Sequence, residues 1–458
     1  MDLGGTWRAV EADEDLRRVF PDPDLDDAGW AEVSVPGHWR SHPSFHDTDG
    51  PLLYRRRFDA PGPGGTDRRV WLSFDGIFYQ GDVWMDRAYL GDTEGYFFPH
   101  VLEVTEVLRE RREHVIAVEV TCTRPADRTA KRNLTGVFQH SDCMDRDWNP
   151  GGIWRPVHLD ETGPVRIASL RIVCPEATAE RAVLEMSAVL DASRACSVSL
   201  HTVVRRAVEP HDGAATPSEG GGGGGATPGA VQAERRADQA LAAGVNRIRW
   251  RVAVEQPELW WPHALGDQPL YDVVVDVASG DEVSDRRCVR TGMRQVRMKS
   301  FIATVNGERL FLKGSNHGPT RRELGDATPE ELDRDVLLAR RAGLDLLRIH
   351  AHITRPELYE AADRHGLLLW QDLPLQFGYA GVRRQAVRQA QEAVDLLGHH
   401  PSIALWCGHD QPIALDVPPA AGGSRPLTAP SSPAASPGPS PRPAGPAPGS
   451  PARPAPHS

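Results

Sequence analysis

The chain has 458 residues, of which 25% are charged and 40% hydrophobic, and its formal net charge is −11. This length is enough for two to four domains, and the composition is that of an ordinary globular protein. The acidic balance argues against nucleic acid or an anionic membrane as the main partner, and the sequence has no apolar run long enough to span a bilayer.

The N-terminal sequence and the cysteines indicate the compartment. MDLGGTWRAV has no basic region followed by an apolar stretch, so we expect a cytoplasmic protein without a secretory signal. The six cysteines are scattered and form no CxxC pair. We therefore expect free thiols rather than disulfides or a zinc site, and no metal or other cofactor.

Residues 1–163 have the pattern of an all-β domain. VWLSFDGI (70–77) is a short aromatic and β-branched run, and HVIAVEVTC (114–122) alternates apolar and polar residues with period two. Such alternation is typical of half-buried strands. We predict a jelly-roll β-sandwich for this region.

Sparser strand patterns over 164–292 predict a smaller immunoglobulin-like β-sandwich. The stretch 209–240 contains HDGAATPSEGGGGGGATPGA, which is too rich in glycine to bury a core. We expect it to be a disordered insertion between strands.

Residues 293–416 alternate apolar strands with amphipathic helices. Thr328 and Glu331 predict a capping box at the start of one helix, and Thr354 and Glu357 predict a second. Strands are predicted at 309–316, 345–350, 366–372 and 402–408. The alternation predicts a parallel sheet, either the first half of a (β/α)8 TIM barrel or an open doubly wound sheet, although no Gly-rich phosphate loop follows any of these strands.

The remaining segment, 417–458, is saturated with proline, alanine and serine and has almost no apolar bulk. We expect a disordered tail. The fold class is thus multidomain β plus α/β, with only four of the eight strands that a closed barrel needs.

Several motifs, in order, resemble glycoside hydrolase family 2, whose members include β-mannosidases, β-galactosidases and β-glucuronidases. They span about residues 1–416 and are L-G-G-T-W (3–7), V-P-G-H-W (35–39), F-D-G-I-F-Y-Q-G-D-V-W (74–84), G-G-I-W-R-P-V (151–157), Q-P-E-L-W-W-P (256–262), V-N-G-E-R-L-F-L-K-G-S-N (305–316), L-R-I-H (347–350), W-Q-D (370–372) and H-P-S-I-A-L-W-C-G (400–408). The motifs WQD and WCG lean toward the β-mannosidase branch.

This resemblance implies a retaining β-glycosidase, which needs two carboxylates about 5–5.5 Å apart, one as acid/base and one as nucleophile. The family's acid/base Glu follows the fourth strand, where this sequence has Gln411. Asp410 stands where the family has an Asn that binds the sugar 2-hydroxyl. The nucleophile belongs to a later strand, which we do not find in this sequence. Because Gln has no titratable proton, we expect little or no hydrolysis.

By position, the resemblance also implies substrate contacts for Asn316, Arg348, Asp372 and Trp406. Three of them have a structural alternative: Arg348 in an ion pair at the barrel rim, Asp372 as a helix cap, and Trp406 in the core. His350 and His352 could hold a metal at i, i+2, but hydrogen bonding at the strand end is the stronger interpretation because a third ligand is lacking.

Three functions remain open. The first is hydrolysis of O-glycosyl bonds in β-glycosides. The second is non-catalytic carbohydrate binding, or another interaction role, by a protein derived from such an enzyme. The third is a truncated gene product with a frame-shifted tail. A β-glycoside is the expected ligand in the first two.

Overall fold

The computed structural model describes residues 1–410 apart from 61, 63, 66, 125–126, 128–130, 140–147, 209–228 and 377–380. These residues form two β-sandwiches followed by a parallel sheet with helices. Gln411 and the predicted tail lie outside the described residues. No helix of the described residues is long and apolar enough to cross a membrane. The described cysteines, at positions 122, 174, 196, 288 and 407, are free thiols.

The first sandwich, residues 5–162, is built from period-two strands. Its elements are β1 (Gly5–Glu11), α1 (Glu14–Val19), β2 (Ala31–Val35), β3 (Leu52–Asp59), β4 (Arg69–Phe74), β5 (Ile77–Phe78), β6 (Gln80–Met85), β7 (Ala88–Glu94), β8 (His100–Glu103), α2 (Thr105–Leu108), β9 (Glu113–Thr121), β10 (Gly152–Ile153) and β11 (Val157–Thr162), with short 3-10 turns at Trp39–Ser41, Pro43–Phe45 and Gly136–Gln139. A six-stranded sheet in the order β2-β1-β3-β9-β6-β7 packs against the three-stranded sheet β11-β4-β8, and β10 pairs with β5. Burial alternates along β6, whereas β4 and most of β9 are buried on both faces.

The second sandwich, residues 165–291, has seven long antiparallel strands in its described part. They are β12 (Val165–Ala177), β13 (Arg181–Ala192), β14 (Cys196–Arg206), β15 (Val231–Leu241), β16 (Gly244–Glu255), β17 (Tyr271–Ser279) and β18 (Glu282–Thr291). They form the sheets β12-β13-β16 and β15-β14-β17-β18. The two inner faces enclose a separate apolar core of valine, leucine, isoleucine and alanine side chains.

The predicted insertion at 209–240 is wrong at its C-terminal end. Residues 231–240 belong to strand β15, which pairs with β14, while 209–228 lie outside the described residues. The strand is at the edge of its sheet and is mostly exposed. Its polar sequence, VQAERRADQAL, therefore lacks the alternation that identifies a half-buried strand.

The third unit begins with the antiparallel strands β19 (Val296–Lys299), β20 (Ile302–Val305) and β21 (Glu308–Leu310). Parallel strands and helices then alternate: β22 (Gly314–His317), a 3-10 turn (Leu324–Asp326), α3 (Pro329–Arg341), β23 (Leu346–Ile349), α4 (Pro356–His365), β24 (Leu368–Asp372), α5 (Arg383–Leu397) and β25 (Ile403–Cys407). The strand order is sequential, β22-β23-β24-β25. The described strands therefore lack the order reversal of a doubly wound sheet.

The two predicted capping boxes have different outcomes. Thr328 and Glu331 form the reciprocal hydrogen bonds of a capping box at the start of α3, as predicted. The second prediction is wrong because α4 has Arg355 as its N-cap, without a side-chain cap. Arg355 instead holds Glu357 in an ion pair with an N–O distance of 2.6 Å.

The two faces of the parallel sheet have different surroundings. Leu347 and Leu369 lie on one face, in the same apolar core as residues of the three helices. Arg348 and Trp370 are paired in register on the other face. Because successive side chains of a strand alternate between faces, His350 and Asp372 follow on the same side as Arg348 and Trp370, at the carboxyl ends of their strands.

Both sandwiches pack against the helices of the third unit. The Tyr79 hydroxyl of the first sandwich accepts hydrogen bonds from Gln385 and Gln389 of α5, at 2.9 and 2.7 Å. The indole of Trp260, in the connection between β16 and β17 of the second sandwich, donates to the backbone carbonyl of Asp363 in α4 at 2.9 Å. The sheet is thereby fixed relative to both sandwiches.

Candidate ligand site at the carboxyl ends of the parallel strands

Four charged or polar side chains meet at the carboxyl ends of β23 and β24; we call Arg348, His350, Asp372 and Asp410 the ionic cluster. Arg348 donates from Nε to Asp372 at 3.1 Å, and its terminal nitrogen lies 2.8 Å from the other Asp372 oxygen and 2.6 Å from Asp410. His350 Nε2 lies 2.8 Å from the second oxygen of Asp410. One guanidinium thus joins two carboxylates that are 38 residues apart in the sequence, at positions 372 and 410.

Backbone contacts fix the two carboxylates. Asp372 is fully buried, and one of its oxygens also accepts the backbone N–H of Ala351 at 3.1 Å. Asp410 donates its own backbone N–H to the carbonyl of Leu375 at 2.9 Å and forms a parallel bridge with Gln376. Below the guanidinium, the Trp370 ring centroid lies 5.2 Å from the Arg348 Cζ, within cation–π distance. Contacts within the protein therefore orient the side chains of the cluster.

The charges perturb one another. Burial alone would raise the pKa of the Asp410 carboxyl, but the hydrogen bonds from Arg348 and His350 outweigh burial and hold that pKa below its usual value. Burial lowers the pKa of Arg348, and its two carboxylate partners more than reverse that effect, so the net shift is upward. At neutral pH, Asp410 is consequently an acceptor of hydrogen bonds and not a proton donor.

Ligand atoms of His350, Asp372 and Asp410 all lie within 4.8 Å of one another, which is close enough for a shared cation. However, Arg348 donates to both carboxylates and already provides a positive charge between them. A metal would have to displace the guanidinium. The donor set therefore fits an ion-pair network better than a metal centre.

The structure brings together three of the residues predicted for the site, namely Arg348, Asp372 and Asp410. Asn316 is exposed on β22 and is paired in register with Arg348, so it lies on the cluster's face. Trp406 is paired with Gln371, whose side chain accepts from Tyr359 of α4, so Trp406 lies on the opposite, helix-facing side. Gln411 is outside the described residues.

The structure places His350 and Trp370 at the site, and neither is among the predicted site residues. His350 is two residues from Arg348 and therefore on the same face, which is the signal that could have placed it with Asp410. Trp370 also shares that face. His352 does not join the cluster: it is fully buried, its Nδ1 lies 2.9 Å from the His350 carbonyl oxygen, and burial lowers its pKa to about 3.

Two family descriptions match parts of the chain. "Glycosyl hydrolases family 2" matches residues 181–294. "Glycosyl hydrolase 2 galactose-binding domain-like" matches residues 48–151. The first match coincides with most of the second sandwich, and the other with the central part of the first sandwich.

The similar proteins are longer than this chain. Beta-mannosidase B of Thermothelomyces thermophilus is 25% identical over 392 residues, covering 78% of this chain and 43% of that protein. Among solved structures, a putative beta-galactosidase from Bacteroides fragilis has a TM-score of 0.70 at 20% identity, covering 91% of this chain and 59% of that one. Beta-D-mannosidase from Dictyoglomus thermophilum has a TM-score of 0.69 at 19% identity, covering 89% and 52% respectively. The chain thus spans less than half the length of the curated relative named here.

Proposed function

Because the chain belongs to glycoside hydrolase family 2, we propose that its parallel sheet is the first half of a (β/α)8 barrel and that the ionic cluster recognises a β-glycoside, in the manner of a β-mannosidase. Sequential parallel strands with their helices on one face support the barrel assignment. Active sites of such barrels lie at the carboxyl ends of the strands, which is where the cluster lies.

The observation that carries this proposal is the convergence of Arg348, His350, Asp372 and Asp410 on one face at those strand ends. A sugar presents several hydroxyl groups, and an ionised carboxylate accepts hydrogen bonds from them. Arg348 fixes both carboxylates, so little side-chain entropy remains to be lost on binding. Asn316, on the neighbouring strand, adds an amide that both donates and accepts.

We further propose that this chain does not hydrolyse the bound glycoside. Gln411 stands where the resemblance places the acid/base Glu, and a Gln side chain has no titratable proton to give to a leaving group. Asp410 does not replace the acid, because its pKa lies below the usual value and its carboxylate stays ionised at neutral pH. The chain thus keeps the groups that can recognise a sugar but lacks the general acid that cleavage needs.

The test combines an activity assay with calorimetry on the purified 458-residue chain. We expect no turnover of an aryl β-mannoside and measurable heat with methyl β-mannoside at millimolar concentration. Arg348→Met should abolish that heat, because both carboxylates lose their common partner. Arg290→Met is a matched control: it removes a bidentate pair with Asp272 in the second sandwich, far along the chain from the cluster, and should leave the heat unchanged.

Clear turnover by the unmodified protein would overturn the non-hydrolytic part of the proposal. Absence of heat with mannose, galactose and glucuronic acid derivatives alike would overturn the recognition part. The variant Gln411→Glu tests whether restoring the acid/base residue is enough for hydrolysis. Turnover by this variant and not by the wild type would mean that the nucleophile comes from another residue or another chain.

A further inference from the structure

Ala351, directly after His350, has a backbone conformation that alanine rarely adopts. Its φ angle is +48°, in the left-handed region, and its side chain is fully buried. A non-glycine residue in this region is strained, and the strain persists only where surrounding contacts determine the conformation. The neighbours of Ala351 therefore show what determines the path of the chain out of the ionic cluster.

Contacts from two parts of the molecule hold this peptide. On the side of the parallel sheet, the Ala351 N–H donates to Asp372 at 3.1 Å. On the side of the first sandwich, the Val137 N–H donates to the Ala351 carbonyl oxygen at 3.1 Å. The Tyr96 hydroxyl, also from the first sandwich, accepts from the Ile353 N–H at 2.7 Å and lies 3.1 Å from the Ile353 carbonyl oxygen.

Gly136 makes this approach sterically possible. Its φ is +56°, and a Cβ built at this position would overlap the carbonyl oxygen of Ala351 and lie 3.0 Å from the Cα of Pro374. Both neighbours are backbone atoms of the segments that follow β23 and β24. A side chain at 136 therefore has to push those segments away, and no rotamer relieves the overlap.

We propose that the first sandwich sets the geometry of the ionic cluster, with Gly136 and Tyr96 as positioning residues that act through the peptide at 351–353. The link is Asp372, whose carboxylate is shared between the Ala351 N–H and the Arg348 guanidinium. Displacing Ala351 removes one of the donors that orient Asp372 and so disturbs its pairing with Arg348. This inference deepens the proposed function, since sugar affinity should follow the cluster's geometry, but it stands on contacts that need no sugar.

The experiment compares Gly136→Ala with Gly280→Ala in the full chain. Gly280 lies in the turn between β17 and β18, has a similar φ of +64°, and has nothing within 4 Å of its Cβ position. Both variants thus carry the same kind of backbone strain, and only Gly136→Ala adds the overlap with Ala351. The readouts are hydrogen exchange of the peptide covering 348–354 and the side-chain Nε–H resonance of Arg348, assigned with Arg348→Lys.

We expect Gly136→Ala to accelerate exchange in 348–354 by about tenfold or more, beyond any change elsewhere, and to move the Arg348 resonance. Gly280→Ala should do neither. Unchanged exchange and resonance in Gly136→Ala would overturn the proposal, and so would an acceleration spread evenly over the chain, because that reports loss of stability alone.

If Gly136→Ala does not fold, Tyr96→Phe decides, because it removes only the hydroxyl that holds Ile353. Local acceleration at 351–353 with a shifted Arg348 resonance would support the proposal, and no change in either would overturn it. Because neither readout uses a ligand, failure of the wild type to bind any sugar would defeat the proposed function and leave this test valid.

Discussion

The first sandwich and the parallel sheet enclose their apolar side chains to different extents. In the first sandwich, Trp7, Phe74 and Trp154 are almost fully buried, in an apolar core that continues into the helices of the third unit. In and just before the parallel sheet, Trp406 is 39% and Phe311 84% exposed. An antiparallel sheet can leave one face in water, whereas a parallel sheet needs cover on both faces. The described sheet has that cover only where helices and the first sandwich lie against it.

The ionic cluster lies where these two regions meet. The first sandwich contributes the hydroxyl of Tyr96 and the backbone of Val137, and the parallel sheet contributes the charges. The first sandwich thus holds in place the peptide that follows the charged strand ends. Substitutions in the first sandwich and in the ionic cluster should therefore lower the free energy of unfolding strongly. Substitutions at the outer edge of the described sheet should lower it only slightly.

The largest effect should come from the core of the first sandwich. Trp154 is 1% exposed, and its indole donates to the Tyr96 carbonyl at 2.6 Å. Trp154→Ala should lower the free energy of unfolding by about 3–5 kcal/mol, since it leaves a large cavity and removes the hydrogen bond of the indole. Urea unfolding followed by circular dichroism measures the change. A loss below about 1 kcal/mol would mean that the core around Trp154 is not closely packed.

The next largest effect should come from the ionic cluster itself. Arg348→Met leaves Asp372 fully buried without its cation. We expect a loss of about 3–4 kcal/mol, in the lower part of the range for a broken buried pair because Arg348 keeps some exposure. Arg290→Met, which breaks a more exposed pair with Asp272, should cost less than about 1 kcal/mol. Equal losses in the two variants, measured by urea unfolding, would show that the cluster is not a buried network.

Much of this architecture is readable from local patterns. Period-two alternation identifies the strands of the first sandwich, and the capping box of Thr328 and Glu331 marks the start of α3 because both partners lie within one turn. The second predicted capping box does not form because a tertiary contact competes with it. Arg355 bonds to the carbonyl oxygens of Gly325 and Ala327 and forms an ion pair with Glu357. A window of four residues contains no sign of that contact.

The residues of the candidate site likewise include some that local patterns predict and some that they do not. Arg348, Asp372 and Asp410 could be predicted because carboxyl ends of parallel strands share one edge of a sheet. Gly136 and Tyr96 could not, since they come from another fold unit more than 200 residues away in the sequence and reach the cluster only through domain packing. The face of Trp406 cannot be read from the motif, because a register shift between β24 and β25 pairs it with Gln371.

The contact between the first sandwich and the third unit should make the stability of the protein depend on pH. His38 of the first sandwich is buried and accepts the backbone N–H of Gly325 at 3.1 Å, and burial lowers its pKa from 6.5 to about 4. The folded protein therefore prefers neutral His38, while the unfolded chain binds a proton below pH 6.5. The stability that His38 contributes is complete above pH 6.5 and is lost as the pH falls toward 4, by up to about 3 kcal/mol.

His38→Gln tests this, because glutamine keeps an acceptor for Gly325 and does not titrate. The difference in unfolding free energy between wild type and variant should shrink as the pH falls from 6.5 to 4. Other buried histidines affect both proteins equally and cancel in the difference. His46→Gln, at an exposed position, is the control and should track the wild type. A difference that stays constant over this range would mean that His38 does not hold the contact in its neutral form.

The smallest effect should come from Trp406, at the outer edge of the sheet. It lies on edge strand β25, on the face of Gln371 and away from the cluster, and 39% of it is exposed. Trp406→Ala should therefore lower the free energy of unfolding by only about 0.5–1 kcal/mol, close to the range for surface substitutions. It should also leave the affinity for methyl β-mannoside unchanged, whereas Trp370→Ala should weaken it by removing the ring beneath Arg348. Calorimetry on the two variants side by side distinguishes the tryptophans. A loss of affinity in Trp406→Ala as large as that in Trp370→Ala would place Trp406 against the sugar, as the motif implies. It would also require β25 to have a register different from the one described.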